Sequence, residues 1–267
     1  MSHRQGLRAR ILNGETCIGP FLKIPDPSIT ELAGIAGFDH VVIDLEHSPF
    51  SLETVVGMVR AASLRGIGSV VRVTSDDGPG IVRALDTGAT GVIVPGIVSA
   101  AEAAEVVAHA RFHPIGARGM DLYARGASWG AEPRERYVAA ANERTLVAVM
   151  AEGGQAFNDL EAIAEVEGLD LLFIGPYDLS QSLGMPGQVA HPTVLERIDW
   201  AISVARSRGK AIGVYVDDVD TARRYQELGA VFIGMANDAD ILRQAFAGLV
   251  NARGAAGEGA AAAPYGH

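Results

Sequence analysis

Eight short apolar runs, spread along the whole chain, limit the possible folds more than any other feature. They are CIGPFLKI (17–24), HVVIDLE (40–46), SVVRV (69–73), GVIVP (91–95), LVAVMAE (146–152), LLFIGP (171–176), AIGVYV (211–216) and VFIGMA (231–236). Each is nearly continuous in apolar character, the pattern of parallel strands covered on both faces. Segments with helical spacing separate them, such as SLETVVGMVRAASLRG and HPTVLERIDWAISVARSRG. Several close on glycine before the next strand, as at Gly88-Ala89 and Gly229-Ala230, where a left-handed residue ends a helix. Eight strand–helix units in about 250 residues predict a single-domain (β/α)8 TIM barrel, an α/β fold. An open doubly wound sheet would want a glycine-rich phosphate turn after the first strand, and FLKIPDPS is not one.

The barrel is expected over residues 1–251, with an insertion at about 111–144 that is rich in Arg and Gly. Loops of that length usually carry function or are mobile. Residues 252–267 are of low complexity and are expected to be disordered. The formal charge of -10 leaves no basic excess to meet phosphates, which argues against a nucleic-acid partner. A single cysteine, Cys17, excludes a disulfide framework and suits a reducing compartment. No signal-peptide core is evident, and no apolar run approaches the ~20 residues of a membrane span. These features predict a cytoplasmic protein with no membrane partner.

A barrel of this kind carries its active site at the C-terminal ends of its strands. The ionisable residues gather there. The second strand runs through VVIDLEHSPF into Asp44, Glu46 and His47; the third ends at Arg72, the fifth at Glu152, and the sixth passes Gly175-Pro176 to Asp178. Glu152 and Asp178 end neighbouring strands, so their carboxylates can converge on a hard divalent ion such as Mg²⁺ or Mn²⁺. A general acid and base pair, as in glycoside hydrolysis, is the alternative, but such sites usually add aromatic platforms and this rim shows few. Arg72 can hold a carboxylate or a developing enolate oxygen. His47 can move a proton near neutral pH. Asp86, in RALDTGA, reads either as its orienting partner or as an ordinary polar helix position. Only Lys23 and Lys210 are present, and Lys210 precedes the seventh strand, at the far end, so Lys23 is the sole candidate for an imine. A metal electrophile fits better.

Taken together, GFDHVVIDLEHSPF, SVVRV, LDTGATGVIVPGI, RGMDLYARG, AEGGQAFNDLEAIAEVEGLDLLFIGPYDLSQSLG and AHPTV resemble the HpcH/HpaI aldolase family, the metal-dependent class II pyruvate aldolases. The similarity runs from about Gly19 to Gly248, and EVEGLDLLFIGPYDLSQSLG is its most specific part. The resemblance implies a homo-oligomer, a hexamer or trimer of dimers, with the last helix exchanged between subunits. It implies that Glu152 and Asp178 bind Mg²⁺, Mn²⁺ or Co²⁺. Arg72 would stabilise the pyruvate enolate, with His47 and Asp86 as a catalytic pair. Asp44 would hydrogen-bond water on the metal, often from the adjacent subunit. The Gly175-Pro176-Tyr177-Asp178 turn would receive the substrate carboxylate through backbone N–H groups. The implied reaction makes or breaks a carbon–carbon bond between a 2-oxo acid and an aldehyde.

Three departures stand near the expected pocket: Met150 where the family usually has Gln, Pro20-Phe21 followed by Lys23, and Asp121 in the insertion. They leave open an oxo-acid decarboxylase, a biosynthetic bond-forming enzyme, or a metal-binding barrel without catalysis.

Overall fold

The structure, a computed structural model, describes residues 6–74 and 78–255. Eight parallel strands close into a barrel in chain order: β1 (Cys17–Leu22), β2 (His40–Asp44), β3 (Gly68–Arg72), β4 (Gly91–Val94), β5 (Leu146–Ala151), β6 (Leu171–Ile174), β7 (Ala211–Val216) and β8 (Phe232–Asn237). β8 pairs with β1 to complete the ring. The expected (β/α)8 barrel is the fold; six of the eight predicted runs contain their strands, while β3 begins one residue before its run and β8 ends one residue after its own.

The continuous apolar runs have a direct cause. Successive side chains point to opposite faces of a strand, and here both faces are buried. Phe21, Val42, Val70, Ile93, Met150 and Phe173 fill the barrel interior. Their neighbours in sequence, such as Leu22, Val41, Val71 and Leu172, pack outward against the helices. The N-terminal helix Leu7–Leu12 closes the lower end, burying Leu7 and Ile11 with the interior cluster.

Helix ends follow local chemistry. Asp26, Ser51, Ser99 and Asp218 each accept an N–H of the helix they begin, and left-handed Gly37, Gly66 and Gly229 end three of those helices. The β2–β3 register runs from His40–Gly68 to Asp44–Arg72, which sets an acid beside a guanidinium at the upper rim.

The insertion is ordered and lies away from that rim. It contains a short 3-10 segment (Arg125–Gly130) and the helix Arg134–Arg144, packed around Phe112, Ala127 and Tyr137. Its Arg125 donates to the Thr87 carbonyl (2.8 Å), just ahead of β4. Asp121 accepts its own neighbour's N–H, from Tyr123 (2.8 Å), and does not line the central cavity. The expectation of a change near the pocket there is corrected, because the segment folds against the strand beginnings. The final helix, Asp238–Ala255, extends past the boundary expected at 251; the remaining tail lies outside the described residues. No helix among the described residues is long and apolar enough to cross a membrane.

Candidate active site

At the upper rim, Arg72 is held from several sides. Its Nε and Nη2 donate to the two oxygens of Asp44 (2.8 and 2.7 Å), and its Nη1 meets Glu46 (3.0 Å). Met150 sulfur stands 4.0 Å from Nη1, and the guanidinium lies 5.2 Å from the Phe21 ring centroid. Burial works against its charge, but the Asp44 hydrogen bonds and the charges of Asp44, Glu46 and Glu152 outweigh it and raise its pKa. Asp44 is fully buried. Burial alone would push its carboxyl up; Arg72, and then Lys23, overcome this and bring it down to about 2. The result is a fixed, fully charged pair.

Glu152 and Asp178 approach one another from β5 and from the helix Pro176–Ser182 that follows β6. A side chain at Gly175 would place its Cβ 3.3 Å from Asp178 Oδ2 and 3.4 Å from Glu152 Oε2. Glycine leaves that space open. The Gly96 N–H donates to Glu152 Oε1 (2.7 Å). Even so, burial first, and then the charges of Asp178 and Glu46, push the Glu152 carboxyl up to about 7 against the Gly96 bond and Arg72. Among the described residues, neither carboxylate has a cation in hydrogen-bond contact, and no group of three or more His, Cys, Asp or Glu could hold a metal. Two converging oxygen donors without a counter-ion fit a hard divalent cation whose other ligands are water or substrate oxygens.

One cavity of about 270 Å³ reaches Arg72 and Asp178; Glu152 and Asp44 stand behind its wall and do not line it. Of the sequence-predicted residues, His47, Arg72, Met150, Gly175, Pro176, Tyr177 and Asp178 line it. His47 is exposed, with Nε2 3.7 Å from Glu46. Pro176 has no N–H, so the free donors of the turn come from the first residues after it. Tyr177 donates its hydroxyl to Asp217 (2.7 Å), which, with burial, pushes its pKa up to about 12.

Within the single chain, Asp86 lies apart from His47: it ends the helix Gly78–Asp86, which descends from the rim, and Arg118 holds it at the opposite end (2.8 Å). Asp44 accepts from Arg72, Lys23 and the N–H groups of Glu46 and His47.

Phe21, expected near the pocket, does line it, and Phe173, which escaped the sequence reading, joins it. With Tyr215 and Tyr177 they form an aromatic wall where few aromatics were expected at the rim. The signal was alternation: Phe21, Phe173 and Tyr215 are inward positions of β1, β6 and β7. Lys23, weighed for an imine and as a departure near the pocket, does line the cavity, as an ion pair with Asp44.

Comparison with known proteins bears on this arrangement. The family model described as HpcH/HpaI aldolase/citrate lyase matches residues 18–245. The 4-hydroxy-2-oxovalerate aldolase of Rhodococcus jostii (strain RHA1) is 41% identical over 233 residues, 87% of this chain and 89% of that protein. A 4-hydroxy-2-oxo-heptane-1,7-dioate aldolase of Escherichia coli is 36% identical over 249 residues, 93% of this chain and 94% of that protein. The crystal structure of an HpcH/HpaI aldolase/citrate lyase family protein from Burkholderia cenocepacia J2315 superposes with a TM-score of 0.86 at 32% identity, covering 92% of this chain and 98% of that one.

Proposed function

Since this chain belongs to the HpcH/HpaI aldolase/citrate lyase family, we propose that it is a divalent-metal-dependent carbon–carbon lyase acting on a pyruvate-type 2-oxo acid. The observation that carries the reading is the Glu152–Asp178 pair, with no cation in hydrogen-bond contact, whose Asp178 lines the same cavity as a clamped guanidinium. Glu152 and Asp178 would hold Mg²⁺, Mn²⁺ or Co²⁺, which when bound supplies Lewis-acid charge to the oxo acid.

The chain's own groups do the rest. Arg72 stabilises the oxygen that gains negative charge as the bond to the aldehyde carbon breaks. Asp44 and Glu46 keep that guanidinium in one plane, so no reorganisation is needed when charge develops. The N–H groups at the start of the helix Pro176–Ser182 receive the substrate carboxylate. His47 moves the proton from the rim, where its exposed ring can exchange with solvent. The aromatic wall excludes water from the side facing β1, β6 and β7.

The test is exchange of pyruvate methyl protons in D2O, followed by NMR with Mg²⁺ or Mn²⁺ and again with EDTA. Metal-dependent exchange, abolished by EDTA and by Glu152→Ala, is expected. Exchange that persists in Glu152→Ala would sink the metal assignment.

The same reading makes the protein a cytoplasmic homo-oligomer, a hexamer or trimer of dimers, that exchanges its last helix. In the single chain that helix leaves Phe246, Leu249 and Val250 exposed, and Leu32 and Ile35 are exposed on the helix Pro27–Ala36. Apolar side chains grouped in this way suit burial against another subunit.

A further inference from the structure

The central cavity contains a cation that the lyase chemistry does not require. Lys23 follows β1, its side chain is 29% exposed, and its ammonium rests on Asp44. Arg72 alone already clamps both oxygens of Asp44. Arg72 Nε and the N–H groups of Glu46 and His47 all donate to Asp44 Oδ1 and Arg72 Nη2 to its Oδ2, so Lys23 adds only a second donor to Oδ2. An ammonium carries about three donors, and Asp44 takes one. The others are left to the cavity.

The base of this side chain is rigid. Asp238, 5% exposed, accepts the N–H of Lys23 (2.7 Å) and of Ile24 (3.0 Å), tying the end of β1 to the end of β8. A point charge on a flexible stem thus stands on fixed backbone, able to follow a ligand atom without losing its place.

Barrel closure decides what lies opposite. With strands in chain order, β1 lies opposite β5, so the backbone of Lys23 and that of Glu152 leave the barrel on opposite sides of the ring. Phe21, Met150 and Phe173 lie between them as an apolar floor suited to methylene groups. Asn237 lines the same side as Lys23, its Nδ2 3.5 Å from the Tyr215 hydroxyl.

We propose that Lys23 is the specificity-determining residue of this site and reads a second carboxylate, so that the preferred substrates are 2-oxo diacids. Their oxo-acid end lies at Glu152 and Asp178 and their distal carboxylate on Lys23. This rests on the placement of the pyruvyl end given above. A substrate ending in a methyl group leaves Lys23 on Asp44 and gains nothing from it.

The test is calorimetric binding of 2-oxohexanedioate and 2-oxohexanoate, equal in chain length and differing in the terminal carboxylate, to the full-length Mn²⁺-loaded protein. A charge-assisted bond to the distal group predicts that the diacid binds about tenfold tighter or more. Lys23→Met is expected to remove that preference, and Lys23→Arg to keep part of it. Equal affinities in the unmodified protein, or a preference that survives Lys23→Met, overturn the assignment. A parallel loss of both ligands in Lys23→Met also overturns it, by showing that Lys23 only supports Asp44. Pyruvate exchange reports on the lyase reading separately. Exchange without diacid preference sinks only this inference; diacid preference without exchange sinks the lyase reading and leaves Lys23 assigned.

Discussion

At the scale of single residues, the site owes its character to how completely each charge is answered. Arg72 and Asp44 answer each other, while Glu152 and Asp178 do not. His40 is a third case, at the lower end of the barrel. It is fully buried, stacked on Phe232 at 4.0 Å, and neither ring nitrogen has a hydrogen-bond partner. Burial disfavours its cation and lowers its pKa to about 3. The unfolded chain takes up that proton near its ordinary value of about 6.5, which the folded protein resists. His40 therefore costs no stability above pH 6.5, and an increasing amount as pH falls from there toward about 3. His40→Leu should flatten the fall of the urea midpoint between pH 7.5 and 4, and at pH 7.5 should match or exceed the parent. An unchanged slope would place the acid sensitivity elsewhere. Glu152 and Asp178 were legible as a pair because strand ends on neighbouring strands must converge. That Asp86 lies at the lower rim of its own chain was also legible: it precedes β4, as Lys210 precedes β7, and a residue before a strand belongs to that rim.

At the scale of elements, the lower rim is joined by one buried acid. Asp170, 4% exposed, accepts from Arg8 of the N-terminal helix (2.8 Å), from Arg111 (2.5 Å) and from the Val147 N–H (2.9 Å). Arg111 in turn donates to the carbonyls of Asn142 and Thr145, the latter just ahead of β5 (both 2.7 Å). Removing the acid leaves two guanidinium groups without a counter-charge, one of them buried. Asp170→Ala should thus lower unfolding free energy by about 3–5 kcal/mol, and the first amides to lose hydrogen-exchange protection should be those of the helix Leu7–Leu12. A loss below about 1 kcal/mol would mean that water replaces the acid readily. The strands were readable because a twice-buried strand has no choice but to be apolar on both faces. The helix Arg134–Arg144 was read as insertion: it buries Tyr137 alone, so its sequence carries little apolar periodicity.

At the scale of the whole molecule, the closed barrel brings all eight strand ends to one mouth and leaves apolar side chains of the last helix exposed in its own chain. Phe246 and Leu249 are 63% and 72% exposed there. If they are covered by a neighbouring subunit, Phe246→Asp with Leu249→Asp should shift the protein from hexamer toward smaller species in analytical ultracentrifugation, with lower thermal stability. A monomeric parent would remove the exchange from the account. The alternation of apolar runs and helices determined the barrel by itself, since burial on both faces of eight strands leaves few other closures. The order of acids and basic groups at strand ends determined which rim is reactive. Tertiary structure alone decided that Asp44 belongs to Arg72, that Asp86 lies at the far rim of its own chain, that aromatic rings wall the cavity, and that Lys23 pairs with Asp44 there. Those facts depend on strand register and ring closure, which set distances between residues far apart in the chain and leave no mark on the residues beside them.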